Sequence, residues 1–438
     1  MPTSPAATSL VQHAASAATH HFTLDNGFQV VLLEDHRAPL ATAQLWYHVG
    51  ASDEPAGQSG LSHALEHLVF TGSRKLPRGQ YSNVLARLGA HPRAFTLDDA
   101  TLYVATLPVN RLEIVLEAQA DIMAHALLDP QAFSTVRDTL INEYRLRVDT
   151  SPDEQANLQH LRLAHGPSPY ARSRYESFDE LQAMTLAQVR GWYARHYHPN
   201  NATLVVAGDL TLPELRTRVE RHFADLPAFA TQRAVAFSHS TALGERRQTV
   251  QIKGLRPGVA LSFNTPGLNT APAPQAVYAL HVALTLLSTG ASSRLHSALV
   301  RDEPILRGVL SEFDWLARGD TLLTLRALIS PGQITPQQAG ERILNIVDSL
   351  VHHPVTAAEL QRAKTQLLAH QVFRRDALQD HAYDVGRYLV SGARPQAFAQ
   401  ARAWIEAVSA EDIQHAARQY LTRERLTVTY TQPEENAQ

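Results

Sequence analysis

The chain has 438 residues, 44% of them hydrophobic and 18% charged, with a formal net charge of −3 and a pI near 6.7. That length exceeds one ordinary core and calls for about two or three domains, while the near-neutral balance disfavours nucleic acid as a partner. There are no cysteines, which excludes disulfides, thiolate zinc sites and a cysteine nucleophile, so any bound metal has to use histidine and carboxylate ligands.

No run approaches the ~20 apolar residues that span a bilayer. The first 20 residues are rich in Ala, Ser, Thr and His, without the basic start and apolar stretch of a secretory leader. Residues 1–21 are expected to be a flexible N-terminus, either native or the stub left where a leader has been replaced, so cytoplasmic and periplasmic locations both stand. Strands are expected at 22–24 and 28–33, joined by the hairpin signal Asp25-Asn26-Gly27. A third strand over 41–49 ends at Gly50.

The next segment, Gly60-Leu61-Ser62-His63-Ala64-Leu65-Glu66-His67-Leu68-Val69-Phe70, reads as a helix, with Gly57 and Gly60 before it and Gly72 and Pro77 after it. His63, Glu66 and His67 fall at i, i+3 and i+4 and share one face; Leu61, Leu65 and Leu68 take the other. Two imidazoles one turn apart can hold a divalent metal, zinc by preference. The carboxylate between them can serve as general base toward water at that metal. The chain has 22 histidines, so a solvated helix carrying these residues by chance is the competing reading; the apolar surroundings weigh against it.

A helix follows at 80–91, then strands at 93–96 and 101–107 around an Asp98-Asp99 turn, then a helix at 111–128 closed by Asp129-Pro130. Over 131–148, Phe133, Val136, Leu140 and Tyr144 keep helical spacing, and Glu143 shares the face of Val136 and Leu140. A carboxylate there needs a cation or a metal. The residues by themselves favour an ion pair with Arg137, Arg145 or Arg147 over a metal ligand. A helix at 179–197, a buried strand at 202–208 and a helix at 213–223 complete a first domain at 22–226. Residues 227–245 carry few periodic signals and are expected to be a linker.

The second half, 246–432, repeats the plan: strands at 249–252 and 258–264, helices at 274–288 and 292–301, strands at 311–316 and 321–329, then helices at 335–352 and 357–375. Thr185 and Ser409 each open a helix as a hydroxyl N-cap. Each helix reaches a tyrosine, Tyr197 or Tyr420, and then a strand, 204–207 or 426–430. The offset of 224 residues (409 − 185) marks an internal duplication into two domains of one fold. Runs of strands followed by runs of helices indicate α+β layers, with a mainly antiparallel sheet in each domain.

Several segments together resemble the pitrilysin-type zinc peptidases, the family of insulysin, pitrilysin and mitochondrial processing peptidase. They are Leu24-x-Asn26-Gly27, the Gly60–Ser73 stretch with its His-x-x-Glu-His core, Ala94-Phe95-Thr96 with Asp99-x-Thr101-x-Tyr103, Asn142-Glu143-Tyr144-Arg145, Gly208-Asp209 and Gly290-Ala291-Ser292-Ser293-Arg294-Leu295. The likeness runs from about residue 22 to about residue 430. In that family a Glu about 75 residues past the second His completes the zinc site, and 75 residues separate His67 from Glu143 here. The resemblance therefore implies one Zn²⁺ per chain, held by His63, His67 and Glu143, with Glu66 as catalytic base. It also implies substrate binding as an added strand near Ala94 and Phe95, and a two-domain unit forming half of a clamshell. Peptides or unfolded segments are the substrates it implies. The second half would come from a homodimer or from a heterodimer with a related subunit.

The chain departs from the family at three places. Processing peptidases carry a Glu seven residues before the third ligand, where this chain has Val136. Members often have Asn before Ala-Phe-Thr, where this chain has Arg93. Active members carry an Arg and a Tyr seven residues apart in the second half. The expected register falls here on Val300 and Arg307, or on Arg301 and Gly308 after a shift of one. A partner subunit supplying the Arg-Tyr pair is therefore expected. A non-catalytic structural or regulatory subunit of the same fold is the alternative, and the second domain is expected to hold no metal.

Overall fold

The computed structural model describes residues 18–172, 177–230, 237, 244–393 and 396–434. The first domain is built on six strands: β1 (Thr19–Thr23), β2 (Gln29–Glu34), β3 (Leu40–Tyr47), β4 (Arg93–Thr96), β5 (Thr101–Pro108) and β6 (Ala202–Gly208). Their order is β1-β2-β6-β3-β5-β4, and only β2 and β6 pair in parallel. The second domain has β7 (Arg246–Ile252), β8 (Gly258–Thr265), β9 (Leu306–Phe313), β10 (Thr321–Ile329) and β11 (Leu426–Pro433) in the order β7-β11-β8-β10-β9. Only β7 and β11 are parallel there. Matched position for position, the second sheet is the first without β1. The faint duplication in the sequence is thus a duplication of topology, and the α+β class follows.

Helices of the first domain are α1 (Leu61–Val69), α2 (Gln80–Arg87), α3 (Leu112–His125), α4 (Pro130–Tyr144), α5 (Pro152–His165), α6 (Phe178–Ala183), α7 (Leu186–His196) and α8 (Leu212–Phe223). The core residues of α1, α3, α4, α7 and α8 share one apolar cluster with Val30, Leu32, Leu45, Tyr47 and Tyr103 of the sheet. In the second domain, α9 (Pro274–Ser288) and the helices Pro336–His352 and Ala410–Tyr420 do the same for the second sheet.

The other face of each sheet is closed by a helix from the opposite domain. Val31, Leu33, Trp46, Leu102, Val104 and Val205 pack against Ala382, Val385 and Val390 of the helix Leu378–Val390. The approach is close enough that a Cβ on Gly386 would lie 2.3 Å from the buried Trp46 ring, so only glycine fits. Reciprocally, α5 crosses onto the second sheet. His160 there is 1% exposed, with Nδ1 2.7 Å from Thr429 Oγ1 and Nε2 2.7 Å from Ser262 Oγ.

Burial lowers the His160 pKa to about 3. The unfolded chain, with a pKa near 6.5, then binds the proton that the folded chain refuses. This contribution to stability is full above about pH 6.5 and is lost progressively as pH falls toward 3. Each unit within that window costs about 1.4 kcal/mol. Thermal unfolding followed from pH 7 to pH 5 should show a shallower acid loss for His160→Gln than for the wild type. Equal slopes would remove His160 as a source of acid sensitivity.

Several expectations are corrected. β1 begins at Thr19, so 19–21 of the segment expected to be flexible pairs with Leu33, Leu32 and Val31. Asp129-Pro130 does not close the helix before it but opens α4: Asp129 accepts the Ala132 N–H and Pro130 takes the first turn. The helix expected over 179–197 is broken, because the Thr185 hydroxyl accepts the Gln188 N–H and starts α7 afresh. The expected strand 311–316 is Leu306–Phe313, since the chain turns with Ala317 N–H bonded to Asp314 O. The stretch 292–301 is a short helix, Arg294–His296, followed by a π-helical turn, Ser297–Asp302. Most of the proposed linker 227–245 lies outside the described residues. No helix among the described residues is long and apolar enough to cross a membrane.

Candidate metal centre

The face of α1 that carries His63 and His67 starts from a tightly fastened N-terminus. Gly60 is the N-cap with φ of 90°, a conformation that costs a side-chain-bearing residue but not glycine. The buried Glu54 carboxylate accepts from the N–H groups of Gly60 (2.7 Å) and Ser62 (2.6 Å). It satisfies two donors that a helix start leaves open and places negative charge at the positive end of the dipole. Trp192 Nε1–H donates to Ser62 Oγ at 3.2 Å, and Glu180 accepts the Ser59 N–H at 2.7 Å. Leu61, Leu65 and Leu68 are fully buried, which fixes the rotation of the helix.

That rotation brings His63 and His67 together, with ring centroids 4.9 Å apart. Glu143 arrives on the last turn of α4, held by Val136 and Leu140 in the core. One donor atom from each of His63, His67 and Glu143 lies within 4.8 Å of the other two, the only such group of three or more among the described residues. His63 Nε2 is 3.9 Å from Glu143 Oε2, and Arg147 Nη2 is 3.8 Å from the same oxygen. Both readings of Glu143 therefore have a partner in the structure. All three side chains are partly exposed, so the face is open to a ligand.

Two imidazoles and a carboxylate fit zinc, whose bonds to N and O are about 2.0–2.2 Å and whose catalytic sites keep one position open. Burial lowers the His67 pKa, keeping its imidazole neutral and able to ligate. Glu66 is engaged elsewhere: the Thr96 hydroxyl donates to Glu66 Oε2 at 2.6 Å. Burial raises the Glu66 pKa against the opposing pull of Thr96 and His63. A carboxylate so placed is a better proton acceptor than an exposed one.

Thr96 ends β4, the outermost strand of its sheet. Ala94 and Phe95 lie on this strand, and their side chains face opposite ways. Ala94 packs with the α1 side of the sheet, while Phe95 is 42% exposed. Arg93 is also exposed. Val136 is a core residue at 7% exposure, so a carboxylate in its place would be buried beside the site. In the second domain Val300 packs against the core, Arg301 pairs with Asp302 at 2.8 Å, and Arg307 and Gly308 lie on β9 at the sheet edge. Glu54 and the donor role of Thr96 escaped the sequence reading. An acid six residues ahead of a glycine-started helix was the one available signal for Glu54.

The profile of the family described as Insulinase (Peptidase family M16) matches residues 29–171, and that described as Peptidase M16 inactive domain matches 183–367. The zinc protease PqqE of Helicobacter pylori is 25% identical over 428 residues, 96% of this chain and 95% of that protein. The crystal structure of a protease from Helicobacter pylori matches with a TM-score of 0.89 at 24% identity, over 95% of this chain and all of that one. The periplasmic protease PqqL from Escherichia coli matches at 0.78 and 18% identity, over 94% of this chain but 47% of that one, whose length therefore leaves room for a second such unit. The α+β sheets and helices seen here are those of M16 clamshell half-units, and with both domain profiles present in order the chain belongs to the insulinase-like M16 peptidase family.

Proposed function

We propose that the chain is a zinc-dependent endopeptidase that hydrolyses peptides or unfolded segments, completed by a second unit of the same fold. The observation carrying this reading is the division of labour on α1. His63 and His67 converge with Glu143 on one point, while Glu66, between them in sequence, is set apart by Thr96. A purely structural metal site has no use for that fourth residue.

Zinc held by His63, His67 and Glu143 would supply a Lewis acid that polarises the scissile carbonyl and acidifies water. Glu66 takes the proton of the attacking water and returns it to the leaving amine. Thr96 holds one oxygen of Glu66, which leaves the other to receive the proton. The open edge of β4 offers backbone donors and acceptors to an extended peptide, so Ala94 and Phe95 would bind substrate chiefly through main chain.

Hydrolysis of a quenched fluorescent peptide, with and without chelator, tests the reading. Chelator-sensitive cleavage by the purified chain alone would make it self-sufficient and the Arg-Tyr pair dispensable. Silence with about one zinc bound per chain, relieved by adding a related subunit, would place the Arg-Tyr pair in that partner. A second reading, a non-catalytic subunit of the same fold, is favoured by Val136 and by the absence of Arg and Tyr at the register of Val300 and Arg307. Silence with every related subunit would uphold it.

A further inference from the structure

The second domain carries none of the residues proposed to bind metal, yet Arg318 of that domain reaches the two segments that flank α1 and β4. Arg318 sits in the β9–β10 connection, 15% exposed at its side chain. Its Nη2 lies 2.6 Å from Asp53 Oδ1, 3.2 Å from Asp99 Oδ1 and 3.2 Å from Ser52 Oγ. Its backbone N–H donates to Asp99 Oδ2 at 2.8 Å. Tyr170 donates to both Asp99 oxygens, at 2.7 and 2.9 Å, and accepts the Gly319 N–H at 2.9 Å. The Ser52 hydroxyl also donates to Asp99, at 2.9 Å.

The two carboxylates belong to the two segments that fix Glu66. Asp53 immediately precedes Glu54, whose carboxylate accepts the Gly60 and Ser62 N–H groups at the start of α1. Asp99 is in the turn after β4, whose last residue, Thr96, holds the Glu66 carboxylate. The segments are also joined backbone to backbone, Ala51 N–H to Leu97 O at 3.0 Å and Ser52 N–H to Asp98 O at 2.8 Å. Asp53 and Asp99 have side chains only 8% and 7% exposed. Two buried carboxylates side by side repel unless a cation lies between them, and the guanidinium that contacts both comes from the other domain. The three side-chain contacts are all made by Nη2, held in place by the rigid guanidinium plane and by the backbone N–H of the same residue on Asp99.

We infer that Arg318 is a positioning residue, through which the second domain holds helix α1 and strand β4 in the register that aligns Thr96 with Glu66. This rests on the peptidase reading for its catalytic consequence, though not for its structural one. Losing Arg318 leaves Asp53 and Asp99 in mutual repulsion, so the Ala51–Asp53 turn and the 97–100 turn separate and Thr96 moves away from Glu66. A displacement of about 1 Å at a catalytic group costs about 10²-fold in rate.

Arg318→Met and Arg318→Lys in the full chain test this. For Arg318→Met, kcat per folded molecule is expected to fall about 10²-fold with zinc content unchanged, and added guanidinium ion should restore part of it. Arg318→Lys, which keeps the charge and is the safer fold, should lie between the two. Hydrogen exchange supplies a readout independent of activity. The amides of Ala51, Ser52 and Leu97 should exchange faster in both variants, while those of β8 and β10 stay protected. Wild-type exchange at those three amides, or full activity per folded molecule, would overturn the inference. If the wild-type chain cleaves nothing with any partner, the peptidase reading fails, and the exchange data still decide whether Arg318 joins the two segments.

Discussion

Glu66→Gln is expected to lower peptide hydrolysis by about 10²–10⁴-fold, the usual worth of a positioned general base, and to leave zinc content at its wild-type level. The amide keeps the shape of the carboxylate, and its oxygen can still accept the Thr96 hydroxyl, 2.6 Å away. It cannot take a proton from water. Stability should not suffer. Glu66 is 8% exposed, burial disfavours its charged form, and the charge of Glu143 adds to that; a neutral group removes both penalties. Metal analysis and the peptide assay, run on one preparation, separate the possibilities. Loss of zinc would make Glu66 a ligand rather than a base. Retained cleavage would end the proposed mechanism.

How much of this could be read from residues depended on whether local chemistry or distant contact decided the structure. The hairpin at Asn26-Gly27, the strand Thr321–Ile329 and the helix around His63 declared themselves, because turn residues and apolar spacing are local signals. The gathering of His63 and His67 followed from helical spacing alone. Glu143 needed the family resemblance: nothing within α4 says that its last turn meets α1. Helix α5 went unread because, of its buried residues Ala156, Leu158, His160 and Ala164, only Leu158 is a large apolar side chain. His160 turns toward Ser262 and Thr429, so the apolar stripe that announces a helix is thin. The helix Leu378–Val390 went unread too, although Gly386 within it is explained at once by Trp46, more than three hundred residues earlier in the chain. Arg318 was invisible for the same reason. Its partners Asp53 and Asp99 lie in another domain, and an arginine in a loop carries no pattern of its own.

Glu143 remains the position where two physical readings compete most directly, and a pair of substitutions decides between them. Its Oε2 lies 3.9 Å from His63 Nε2 and 3.8 Å from Arg147 Nη2, so distance favours neither. Energetics do. The Arg147 side chain is 53% exposed, and an exposed i,i+4 ion pair is worth about 0–1 kcal/mol. That is too little to account for a carboxylate turned toward two imidazoles. An ionised carboxylate also has lone pairs enough to ligate a metal and keep the arginine. Arg147→Ala is therefore expected to change zinc affinity by less than about fivefold. Glu143→Ala removes a ligand and should cost more than the 10–100-fold typical of losing an outer partner. Competition titration with a chromogenic chelator measures both. If Glu143→Ala binds zinc as the wild type does, Glu143 is only the partner of Arg147, and the third ligand has to come from elsewhere, the facing unit included. If the loss is as large as expected, the ion pair is incidental and α4 exists, at its last turn, to complete the site that α1 begins.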